Sequence, residues 1–185
     1  MARGQLYALG RWLKWRKVAN KATIGYPLVA VFIFKLKCMI NDLLNALSYD
    51  DEAWEGEVSF PVLGDDVLLF IDASEDKKPT QAQTDKLAWL HDNIAALFPT
   101  IEARLYEYYQ ASCDRYRKKL GPDAQTLMPD LNSQADVWEF VSDPGIYIGP
   151  DSDGDELQLE YECTFDVEHG LRLVILDNEI IYVGT

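Results

Sequence analysis

The chain has 185 residues, is 48% hydrophobic and 12% aromatic, and carries a formal net charge of −14. That is enough apolar material for one packed domain and too much for a disordered one. Such acidity also argues against a nucleic-acid binder, whose affinity comes from Lys and Arg displacing counterions.

The charge is divided along the chain. Residues 1–37 hold eight Lys or Arg and no acid, whereas the remainder holds nine basic residues against thirty-one acids, a net of −22. A step of this size predicts a basic and apolar N-terminal extension over 1–38 and a single acidic domain over 39–185. Cys38, Cys113 and Cys163 are odd in number, far apart and without C-x-x-C spacing. They predict no disulfide framework and no structural zinc, and a reducing cytoplasm as the compartment.

In the extension, Arg3, Arg11, Lys14, Arg16 and Lys17 precede an apolar run over 22–34 that contains Pro27. As a helix that run would span about 20 Å, too short for a hydrocarbon core of about 30 Å. Lys35 and Lys37 stand where a signal-peptide cleavage site needs small residues. Three readings stay open: an interfacial basic anchor, which is the one route to a membrane, an arm docked on the acidic domain, and an accessory extension ahead of a start near Met39.

Ile40, Leu43, Leu44 and Leu47 share one helical face and predict a short helix. A hairpin follows. Trp54, Val58, Phe60 and Val62 alternate with Glu55, Glu57 and Ser59, Leu63-Gly64-Asp65-Asp66 forms the turn, and the apolar run 67–71 predicts a strand buried on both faces. Thr80 and Gln83 have the spacing of a capping box. Leu87, Leu90, Ile94, Leu97 and Phe98 form the stripe of one helix, Pro99-Thr100 interrupts it, and Ile101, Leu105, Tyr108, Tyr109, Ser112 and Tyr116 form the stripe of a second. Arg115, Arg117, Lys118 and Lys119 suit a helix C-terminus before Gly121-Pro122.

Beyond a poorly patterned stretch over 123–143, strands return. Ile146-Tyr147-Ile148 is short, and Leu157, Leu159, Tyr161, Cys163 and Phe165 alternate with polar residues. Runs over 171–176 and 179–183 flank the turn pair Asp177-Asn178. Strands, helices and strands again predict an α+β fold: a mainly antiparallel sheet with a central pair of helices packed on it.

Two runs bear on chemistry. Asp151-Ser152-Asp153-Gly154-Asp155, with Glu162 eleven positions after Asp151, echoes a calcium loop, but Glu156 occupies the position that needs Gly and a strand follows. No metal or other cofactor is expected. The run 162–170 gathers Cys163, Asp166, Glu168, His169 and two further polar residues at a strand end. Alternation sends Cys163 inward, and His169-Gly170 predicts a turn. His91 falls at the edge of the first helical stripe, and Glu102, Glu107 and Asp114 on a solvated face. No phosphate loop, nucleophile elbow or dinucleotide fingerprint is present.

With Glu162-Cys163-x-Phe165-Asp166-x-Glu168-His169-Gly170, a closing strand pair and Trp54-Glu55-Gly56, the chain resembles an uncharacterised bacterial domain family over 39–185. The resemblance implies no activity. It is similar in style to small acidic immunity proteins, which neutralise toxins by binding them.

The expected function is therefore that of an acidic binding protein, possessing no catalytic residues, that meets a basic protein partner through Asp151, Asp153, Asp155, Glu160 and Glu162. The alternative is a metal-dependent or hydrolytic enzyme using Asp166, Glu168 and His169.

Overall fold

The computed structural model describes residues 39–50, 53–73, 78–153 and 156–185. It separates into two units, Met1–Asn41 and Asp42–Thr185. The basic extension expected over 1–38 lies outside the described residues. Residues 39–46 are helical (α1), matching the predicted short helix.

A single seven-stranded sheet forms the second unit, with its strands in sequence order across it. The strands are β1 (Ser48–Asp50), β2 (Ala53–Phe60), β3 (Gly64–Ile71), β4 (Val141–Ile148), β5 (Leu157–Cys163), β6 (Leu171–Leu176) and β7 (Glu179–Gly184). Every neighbouring pair is antiparallel except β3 and β4. A parallel pair cannot be closed by a tight turn, so the chain makes a long crossover here. That crossover carries α2 (Gln81–Leu120) and the short α3 (Ala124–Leu127).

The expected central pair of helices is replaced by one. α2 runs for forty residues straight through Pro99. Proline removes one backbone donor and crowds the preceding turn, but the two apolar stripes are in phase: Ile94 and Ile101 lie seven residues apart and both are fully buried. Leu87, Leu90, Leu105 and Tyr109 continue the same buried line. Burying each such side chain is worth about 1.5–3 kcal/mol, so continuous packing outweighs the lost bond. The capping box forms as predicted, with Gln83 N donating to Thr80 Oγ1 and Thr80 N to Gln83 Oε1. Gly121, at φ 57°, ends the helix.

Strand alternation sorts the sheet into two faces. Val67, Leu69, Ile71, Ile146, Ile148, Leu159 and Leu173 are fully buried on the face toward α2, and the register sets Val67 against Val58, Ile71 against Ile148, and Leu69, Ile146, Leu159 and Leu173 in one row across four strands. The expectation that β3 is buried on both faces fails. Leu68 is 40% exposed, and Phe70 half-buried, on the opposite face. Val62 falls in the turn after β2 at φ 68° and does not extend the strand. β4 is longer than Ile146-Tyr147-Ile148 because it continues through a bulge at Asp143, φ 48°, that accommodates Pro144. The turn between β6 and β7 is built on Asp177 and Asn178 at φ 50° and 68°, the geometry expected of this pair.

Candidate functional site

The distinctive run at the end of β5 folds into a turn that docks on α2. Phe165 anchors it: the side chain is 3% exposed, with its ring edge-on to Tyr109 and Tyr116 at 5.4 Å from each. This seats Asp166 beneath the helix. Its Oδ2 accepts the Tyr116 hydroxyl at 2.8 Å, and its Oδ1 lies 2.9 Å from His169 Nδ1. Burial works to raise the Asp166 pKa, yet the hydrogen bonds from His169 and Tyr116 outweigh it and hold the carboxyl below its ordinary range. Gly170 returns the chain to β6 at φ 66°, and a Cβ there would lie 2.6 Å from the Tyr161 carbonyl oxygen. Glycine is the residue that fits. Cys163 points inward as alternation predicts, and burial pushes its thiol up to about 11, so it stays protonated at neutral pH.

Asp166 and His169 are thus brought together, and Glu168 is not. It is exposed and hydrogen-bonds to neither. An Asp–His contact can orient an imidazole for proton transfer. The hydroxyl beside it belongs to Tyr116, which donates to the carboxylate and whose pKa burial raises. Among the described residues no group of three His, Cys, Asp or Glu is placed to hold a metal.

The five acidic residues expected at a partner surface separate. Asp151 Oδ1 accepts the Thr80 hydroxyl at 2.9 Å and ties its loop to the start of α2. Asp155 and the side chain of Asp153 lie outside the described residues. Glu160 and Glu162 are exposed on β5, on the face turned away from α2. Register adds neighbours that strand patterning alone does not assemble. One row across the sheet reads Glu57, Leu68, Gly145, Glu160, Arg172, and the next Glu55, Phe70, Tyr147, Gln158, Val174, Tyr182. The face therefore combines carboxylates with an apolar and aromatic strip. Arg172, the basic side chain of these rows, lies 5.8 Å from the Tyr182 ring centre.

The covered face also holds a polar side chain that sequence reasoning missed. Lys86 is 7% exposed although it lies on the helix stripe between Gln83 and Leu90. Its three-and-four spacing from both is the signal that finds it.

No helix among the described residues is long and apolar enough to cross a membrane. The family described as Domain of unknown function (DUF6985) matches residues 43–185. No curated protein and no solved structure matches the chain.

Proposed function

We propose, from the premise that the chain belongs to the DUF6985 family of domains of unknown function, that it is a binding protein whose outer sheet face docks a cationic protein surface. The observation that carries this is the shared face of Glu55, Glu57, Glu160 and Glu162 around Leu68, Phe70, Tyr147 and Tyr182. Aromatic and aliphatic side chains supply contact area, and the carboxylates select a basic partner and speed its approach. A basic toxin, neutralised in a bacterial cytoplasm, has the required chemistry.

The test uses the full chain and the variant E57Q/E160Q/E162Q, with E107Q/D114N/D123N as a control on another surface. Proteins captured from a bacterial lysate at 50 mM NaCl are expected to be basic, to be lost in the sheet variant and to persist in the control. Association of a purified captured protein should slow at least tenfold between 50 and 500 mM NaCl, as steering is screened. Capture that survives the sheet substitutions, or association indifferent to salt, overturns the proposal.

The rival reading, a metal-dependent or hydrolytic enzyme using Asp166, Glu168 and His169, draws on the 2.9 Å Asp166–His169 contact. It requires Glu168 to swing toward that pair.

A further inference from the structure

A pocket of about 240 Å³ opens at the end of the sheet nearest the β2–β3 turn. Val62 of that turn, Phe98 of α2, Trp138 of the 3-10 helix Gln134–Glu139, Ser142 and Pro144 of β4 and Tyr161 of β5 are among its lining residues, and every lining residue but Ser142 is apolar or aromatic. Sites for small molecules begin at about 300 Å³; this one has the scale of a single side chain brought by another protein. Its aromatic lining is already assembled. The Phe98 and Trp138 rings stack at 5.1 Å and 9°, and the Trp138 ring lies 5.8 Å from that of Tyr161. Val62 holds a left-handed backbone at φ 68°, which a β-branched residue rarely takes, and its side chain is 45% exposed there. Burial therefore does not account for that strained position.

The polar chemistry of the lining runs in one direction. Three of its side chains carry a donor, and none of the three is open to an incoming anion. Trp138 Nε1 donates to Glu102 Oε2 at 2.9 Å, Ser142 Oγ donates to Asp143 Oδ2 at 2.7 Å, and the Tyr161 hydroxyl is itself out of reach of solvent. Two carboxylates are thus tied to lining residues, and among the described residues no Lys, Arg or His lies within ion-pair distance of either. Each spends one acceptor site on its bond and keeps the rest of its capacity. Aromatic and apolar walls with spare carboxylate acceptors call for a cation on an apolar stem. Arginine fits better than lysine: its planar fork stacks on aromatic rings and meets a carboxylate with two donors, and it is more weakly hydrated than an ammonium.

We infer that this pocket receives an arginine side chain of the basic partner, its stem along Trp138 and Pro144 and its guanidinium at Glu102 and Asp143. The inference rests on the proposed docking of a cationic protein, and names the anchor of that contact. The pocket adjoins the docking face, since register sets Ser142 opposite Glu162 and Gly145 opposite Glu160. Arginine is also among the side chains that dominate binding when they fill a preformed pocket.

The probe is the peptide acetyl-Gly-Arg-Gly-amide, titrated into the full chain at 150 mM NaCl. The readout is the nitrogen-15 NMR signal of the Trp138 indole N–H, assigned by its absence from Trp138→Phe. A saturable shift is expected. The lysine peptide and free L-arginine, whose own carboxylate the two acids repel, should each bind at least threefold more weakly, and the citrulline peptide, which keeps the shape without the charge, at least tenfold more weakly. Glu102→Gln and Asp143→Asn keep acceptors for Trp138 and Ser142, and asparagine tolerates the backbone at 143. Together they should weaken the arginine peptide at least tenfold and the captured basic protein by a similar factor. No saturable shift at 10 mM arginine peptide, citrulline or lysine peptides that bind as well, or undiminished binding of peptide or captured protein by E102Q/D143N overturns the inference. The outer-face reading is tested separately by E57Q/E160Q/E162Q, which leaves both pocket carboxylates in place. Arginine binding without any captured protein would overturn the docking reading, and with it the partner as the source of the arginine.

Discussion

Asp166 shows how one side chain organises a turn and leaves a measurable trace. Its folded pKa lies below the ordinary value of 3.8, so the stability that its bonds to Tyr116 and His169 supply is complete above that value. It is lost as pH falls from there through the depressed folded pKa. Asp166→Asn should reduce stability at pH 7 by about 1–3 kcal/mol, the usual range for charge-assisted hydrogen bonds. The difference between variant and wild type in urea midpoint should then shrink as pH drops below about 3.8, which urea titrations followed by circular dichroism would show. A constant difference from pH 7 to pH 2 would mean that the carboxylate is not the stabilising form. Much at this scale was legible in the sequence. The inward Cys163 follows from alternation, and the Gly170 turn from His169-Gly170. The partner of Asp166 was not legible, because Tyr116 lies fifty positions away and only tertiary packing brings the two together. Lys86 was hidden for another reason: charge normally marks the solvated side of a helix, and there the helical phase outvotes it.

Among the elements, α2 and β4 diverge most from expectation, and proline is the reason in both. Pro99 on its own reads as a local breaker, whereas the phase of Leu87, Leu90, Ile94, Ile101 and Leu105 carries on undisturbed through it. A stripe that resumes in register after a proline is evidence for one helix, since two independent helices have no reason to share a phase. If packing holds α2 together against its own backbone cost, relieving that cost should help. Pro99→Ala restores a donor toward the Ala95 carbonyl and is expected to raise stability by up to about 3 kcal/mol, measured by thermal melting. A lower melting temperature would show that the proline ring itself contributes packing. In β4, Pro144 similarly disguises a strand that the Asp143 bulge makes possible. β5, β6 and β7 were readable because local alternation and the Asp177-Asn178 turn specify them without distant partners. The pairing of β3 with β4 has no local signal of that kind.

Charge governs the behaviour of the whole molecule. An excess of carboxylates repels itself, and salt screens that repulsion, whereas surface ion pairs such as Arg104–Glu107 and Arg117–Asp130 are worth little in return. Melting temperature should therefore rise with NaCl between 50 and 500 mM, by about 2–4 °C for each kcal/mol gained. A scanning-calorimetry series that falls with salt would place ion pairing above self-repulsion. The single parallel junction has a different reach, into how the chain is made. β1, β2 and β3 leave the ribosome as a three-stranded meander with one side of β3 unpaired, and the strand that covers it is not synthesised until the whole of α2 has followed. At about 5–20 residues per second, that interval lasts several seconds. During it Val67, Leu69 and Ile71 are open to chaperones and to neighbouring nascent chains, so the yield of native protein in a cell should depend on the pace of translation through α2 more than on the final stability of the fold.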